Sequence, residues 1–141
     1  MNTQSDDMPT PRAEETFTLT IDFAPAEAVG RLATGGVREV LSITSGHIGG
    51  RSLDATVVSG TETRLARCDG VTTVEVSCLL RPEALPPIRL VGTGFLTDAI
   101  GTRMNVYFEV AEGSEHDWLA TRVFVAERAL GGTAFAVNQV V

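Results

Sequence analysis

Two carboxylates stand inside apolar, strand-like runs: Glu75 between Val74 and Val76, and Glu109 between Phe108 and Val110. A carboxylate drawn into an apolar interior resists ionisation, which lifts its pKa toward neutrality and suits it to proton transfer. The bland alternative, that each simply faces water, stays equally open. Arg38, just after Gly35-Gly36-Val37, carries a guanidinium that can clamp a carboxylate or an enolate oxygen. Pairing with Asp69 or Glu39 would make it structural instead. Tyr107 supplies a hydroxyl donor and Trp118 a flat wall, each the only residue of its type. Phe108, Met104 and Phe124 extend that wall. The catalytic candidates are thus Glu75, Glu109, Arg38 and Tyr107. The substrate-binding candidates are Trp118, Phe108, Met104 and Phe124, all equally readable as plain core.

Other chemistries find no purchase. All eleven basic residues are arginine, so no side-chain amine exists for Schiff-base formation. His47 and His116 lie far apart in sequence, and Cys68 and Cys78 lack a second pair, so no metal-ligand spacing appears. No phosphate loop or nucleophile elbow is present, and Gly92-Thr93-Gly94 falls inside a strand-like run rather than before a helix. The sequence calls for no cofactor. A formal net charge of −7 without a basic cluster argues against nucleic acid and anionic membranes. Two cysteines read as buried thiols and no leader or membrane span is evident, which places the chain in the cytoplasm.

What must position these residues is a set of short β-runs. Met1–Glu14 is polar and reads as a mobile tail, leaving one domain from about residue 16 to 141. Strands are expected over Phe17–Phe23, Val37–Ile48, Ser52–Ser59, Thr63–Cys68, Val71–Leu80, Ile88–Leu96, Thr102–Val110, Trp118–Glu127 and Thr133–Val140. Gly49-Gly50, Asp69-Gly70 and Gly131-Gly132 punctuate them as hairpin turns. Ala26–Leu32 suggests a short helical turn, and Pro82, Pro86 and Pro87 mark a loop. The class is all-β: an antiparallel closed or nearly closed barrel of eight or nine strands with a central cavity.

Several runs are apolar in both phases. In the Trp118 run, Leu119, Val123 and Val125 alternate with Trp118, Ala120, Phe124 and Ala126. A sheet wetted on one side would keep one phase polar. Burial on both sides implies a lumen inside and a subunit interface outside, hence a homodimer or higher homo-oligomer.

A family resemblance rests on an ordered series: Gly35-Gly36-Val37-Arg38, Ile43-Thr44-Ser45-Gly46, Gly50-Arg51-Ser52-Leu53, Val57 to Gly60, and Arg67-Cys68-Asp69-Gly70. Tyr107-Phe108-Glu109 and Asp117-Trp118-Leu119 continue it. Together they resemble the bacterial and fungal domain-of-unknown-function family numbered thirty-two thirty-seven, over roughly Phe17–Val140. The resemblance implies a barrel with a central cavity, akin to calycin and allene-oxide-cyclase-like barrels, and no settled activity. Thr61-Glu62 departs from the family's Asp-aromatic pair after the strand glycine. Ser77, Arg81-Pro82-Glu83-Ala84 and Ala120 depart elsewhere, which points to a divergent ligand or reaction.

Three functions follow. The first is a cofactor-free cyclase or isomerase enclosing an apolar or polyketide-like molecule, working by positioning plus acid/base help from Glu75 or Glu109. The second is a lipocalin-like carrier of a small apolar molecule. The third is a structural oligomer whose lumen is filled by its own side chains.

Overall fold

A computed structural model describes residues 9–141. Nine strands run β1 Ala13–Phe23, β2 Glu27–Arg31, β3 Val37–Gly50, β4 Leu53–Ala66, β5 Thr72–Pro82, β6 Ile88–Thr97, β7 Gly101–Glu109, β8 Phe124–Arg128 and β9 Ala134–Val140. Their order is β1-β9-β8-β7-β6-β5-β4-β3-β2, and β1 also pairs with β3. That last pairing closes eight antiparallel strands into a barrel and leaves β2 as a flap hydrogen-bonded to β3 alone. The expected class is therefore the observed one. No helix among the described residues is long and apolar enough to cross a membrane.

Closure demands strong coiling, and glycine provides it. A Cβ on Gly46 would collide with the Thr20 carbonyl of β1, and one on Gly94 with the Arg103 carbonyl of β7. Only a residue without a side chain lets neighbouring strands approach so closely at a bend.

Four local expectations change. The first strand starts at Ala13, because Ala13–Glu15 pair with β9, so part of the expected tail belongs to the barrel; residues 1–8 lie outside the described residues. Ala26–Leu32 forms strand β2, since pairing with β3 outweighs a weak local helical tendency. Gly60 lies inside one long strand, where a register shift between Val57 and Ser59 marks a bulge. Trp118 belongs to a 3₁₀ turn, Asp117–Thr121, that drops Leu119 into the barrel mouth.

Inward side chains form one core containing Phe17, Leu19, Ile21, Val76, Leu80, Leu90, Met104, Phe108, Phe124 and Phe135. They fill the middle of the barrel. Even the space vacated by Gly92 is taken, because the Met104 methyl sits where its Cβ would point. The centre of the barrel is thus lined by the chain's own apolar side chains.

Candidate functional site

Strand register sorts the candidate residues into an inward and an outward set, Met104 of the first and Glu75 of the second lining one concavity. Met104, Phe108 and Phe124 point inward and are fully buried. Phe124 packs edge-on to Phe108 at 5.1 Å and against Phe17 at 5.8 Å, and Phe17 lies 6.2 Å from the partly buried Trp118. The structure thus brings Phe108, Phe124 and Trp118 together, around Phe17 rather than around an empty lumen.

Glu75, Glu109, Tyr107 and Arg38 take the outward phase. Glu75 and Glu109 are exposed, so neither is drawn into the apolar interior that the sequence suggested. Glu109 accepts a 2.8 Å hydrogen bond from Arg89, which holds the guanidinium still more firmly in its charged form. Tyr107 is half exposed beside Val91. Arg38 lies on β3 between Gly30 and Leu65. Neither suggested partner is its own: Glu39 pairs with Arg64 and Asp69 with Arg67. Glu75 is in register with Thr93 and Asn105, whereas Glu109 is four residues farther along β7 than Asn105, about 13 Å away. The four do not form one catalytic cluster.

Two concavities have the size of a ligand site. One, of about 650 Å³, opens on the outer face of β5–β8 and runs down to the β6–β7 turn. Its apolar lining includes Phe95, Ile100 and Val125, and its polar lining Glu75, Thr93, Arg103 and Asn105. The row Glu75, Thr93, Asn105, Val125 follows directly from strand register. Arg103 is turned toward Glu127, donating to it at 2.7 Å. Glu75 makes no ion pair among the described residues, so its carboxylate is available to a guest. The other concavity, about 740 Å³, lies at the mouth and is lined by Asp54, Glu83, Glu115 and the buried His116.

The sequence reading missed a charged network inside the opposite end. Glu62 is fully buried and accepts two 2.8 Å hydrogen bonds from Arg128, which also donates to Thr102 at 3.1 Å. Arg64 donates to Glu62 at 2.8 Å and reaches toward Glu39 at 3.6 Å. The Arg128 guanidinium stacks over Phe135, 4.4 Å from the ring centroid. Burial alone would raise the Glu62 pKa, but the hydrogen bonds and charge of Arg128, then of Arg64, hold it below the usual carboxylate range. A carboxylate held ionised is a poor proton shuttle and a good structural acceptor. One signal pointed there: Arg128 shares its strand phase with Phe124 and Ala126.

The cysteines split. Cys78 is buried and its thiol is pushed up to about 12, whereas Cys68 is exposed, against the expectation of two buried thiols. The Asp69-Gly70 turn forms as read, with Gly70 at positive φ and Asp69 accepting from the Val71 amide.

A family profile described as "Protein of unknown function (DUF3237)" matches residues 11–98. The chain belongs to this family. Solved structures extend the likeness past the matched segment of this DUF3237 protein. A protein of unknown function from Clostridium acetobutylicum ATCC 824 superposes with TM-score 0.83 at 20% identity, covering 94% of this chain and 100% of its own. An enzyme from Penicillium herquei gives TM-score 0.80 at 19% identity, with coverages of 96% and 98%. A β-barrel-like protein from Acinetobacter baumannii AYE gives 0.78 at 20% identity, with coverages of 95% and 96%. At such identities the likeness establishes the fold alone. No curated protein matches the sequence.

Proposed function

We propose that this DUF3237 protein is a cofactor-free barrel enzyme that binds a small, mainly apolar molecule in the outer concavity and isomerises or cyclises it by proton transfer. Apolar side chains pack together inside the barrel, whereas a ligand-sized concavity opens outside it, so the site is sought on the outer face. The observation that carries it is the row Glu75, Thr93, Asn105 along a cleft of about 650 Å³ bordered by Phe95, Ile100 and Val125. Ligand pockets are commonly of this size, mostly apolar, with a few convergent polar groups. Glu75 takes a proton from the guest and returns it at another position, so no electrons are gained or lost. The Asn105 amide and the Arg103 guanidinium donate to the oxygen on which charge collects. The herquei neighbour, described as an enzyme, is consistent with turnover on this fold.

A second reading, a carrier without turnover, is favoured by one observation. Glu75 is exposed and, among the described residues, no side chain hydrogen-bonds to it to hold its carboxylate in one orientation.

Native mass spectrometry of freshly purified protein identifies a co-purifying guest, which is then incubated with protein in D₂O. The enzyme reading expects deuterium incorporation or a rearranged product, lost by about 10²–10⁴-fold in Glu75→Gln with binding retained. Release of the guest unchanged and unlabelled selects the carrier. Absence of any guest, with no melting shift on adding apolar ligands, overturns both.

A further inference from the structure

We propose that a second copy of this chain docks on the outer face of β5–β8. Outward residues differ sharply around the barrel. On β1, β3 and β4 they include Thr18, Thr20, Ser42, Thr44, Thr56 and Thr61 with the charged Asp22 and Asp54, a polar surface suited to water. On the other side, Phe95, Tyr107 and Val123 are 51%, 52% and 62% exposed, and Val91 and Val125 lie half-buried between them. Ile100, also half exposed, extends the patch at its lower edge. The remaining exposed large apolar residues stand singly on β2, at the start of β3, in loops and at the chain end, where they form no continuous surface.

Charge identifies the occupant. The protein carries a net −7, so two copies repel over most orientations. The face of β5–β8 is the exception. Its outward Arg81, Arg89 and Arg103 balance Glu75, Glu109 and Glu127, which makes it neutral overall. Arg89–Glu109 and Arg103–Glu127 are cross-strand pairs that a two-fold axis lets each copy offer to the other. Four strands at about 4.8 Å spacing and about 30 Å length project on the order of 600 Å². With side-chain relief added, that approaches the ~800 Å² per partner of a stable interface.

Docking also covers the concavity that holds Glu75. A partner across that opening excludes water from the carboxylate and turns an open groove into a chamber. This consequence rests on the proposed function; the docking itself does not.

Sedimentation velocity across a concentration series tests the interface. The protein is expected to sediment as a dimer, and Phe95→Asp on β6 or Val123→Asp just before β8 each weakens association at least about 30-fold with unchanged circular dichroism. Thr61→Asp, on the polar side, leaves the dimer intact. A monomer throughout the series overturns the proposal, as does a dimer that survives both substitutions. A dimer whose native mass spectrum shows no guest, and whose melting temperature no apolar ligand raises, upholds the interface while sinking the functional reading.

Discussion

Glu62 and Arg128, 66 residues apart in sequence, meet inside the barrel through two parallel 2.8 Å hydrogen bonds. The pair ties β4 to β8 across the interior, with Arg64 and Thr102 completing the shell. Fork-to-carboxylate geometry of this kind fixes orientation as well as adding energy.

Removing one member should cost far more than removing both. Glu62→Ala leaves Arg128 charged in a dry interior, and a loss of about 3–5 kcal/mol is expected. Glu62→Leu combined with Arg128→Met should lose much less, because the uncompensated charge is gone. Urea unfolding of both single variants and the double variant measures the difference. Equal losses in all three would show that the pair contributes only packing.

The same pair sets an acid limb. Glu62 has a folded pKa below its unfolded value, so its contribution is complete above the ordinary carboxylate pKa of about 4.3. It then fades as pH falls through the lower, folded value. Unfolding free energy measured from neutrality downward should show this loss, and Glu62→Gln should lower the plateau and flatten the limb. A limb unchanged in the variant would assign acid sensitivity to other carboxylates.

How far the sequence reached depends on phase. Where alternation runs unbroken, as in Val74, Val76, Cys78 and Leu80, the strand was legible and so was the barrel, but not which phase faces inward. The register shift between Val57 and Ser59 exchanges the faces of β4, which carries Glu62 inside although plain alternation from Val57 puts it outside. Glu75 misled differently. Its strand is apolar around it because Val74 and Val76 face the core while Glu75 itself faces out, so local hydrophobicity said nothing of its own exposure. Trp118 left its expected strand because the chain crosses the barrel mouth there, and no local propensity records that crossing. How the interior packs was out of reach because it depends on all eight barrel strands together.

The two cysteines should report the fold independently. Cys68 is exposed and should react promptly with an aromatic disulfide reagent, whereas the buried Cys78, with its thiol pushed up to about 12, should react only on unfolding. One fast equivalent, rising to two in denaturant, is the expected titration. Two fast equivalents would mean that the Leu90 side of the barrel opens readily in solution.

Gly94 offers the sharpest test of how the barrel closes. Its missing side chain lets β6 lie against the Arg103 carbonyl and the Met104 Cα of β7, at the floor of the outer concavity. A methyl group there meets backbone, which cannot rotate away as a side-chain tip can. Gly94→Ala should therefore cost about 1–3 kcal/mol by forcing the strands apart. Gly113→Ala serves as a contrast, since its positive φ makes alanine costly on backbone grounds alone, with open space around the added carbon. Thermal unfolding compares the two, and ligand binding separates them further. Displacement of β6 should disturb Thr93 and Phe95 and weaken any guest held by the outer cleft, while the Gly113 loop, which does not line that cleft, should leave that binding untouched.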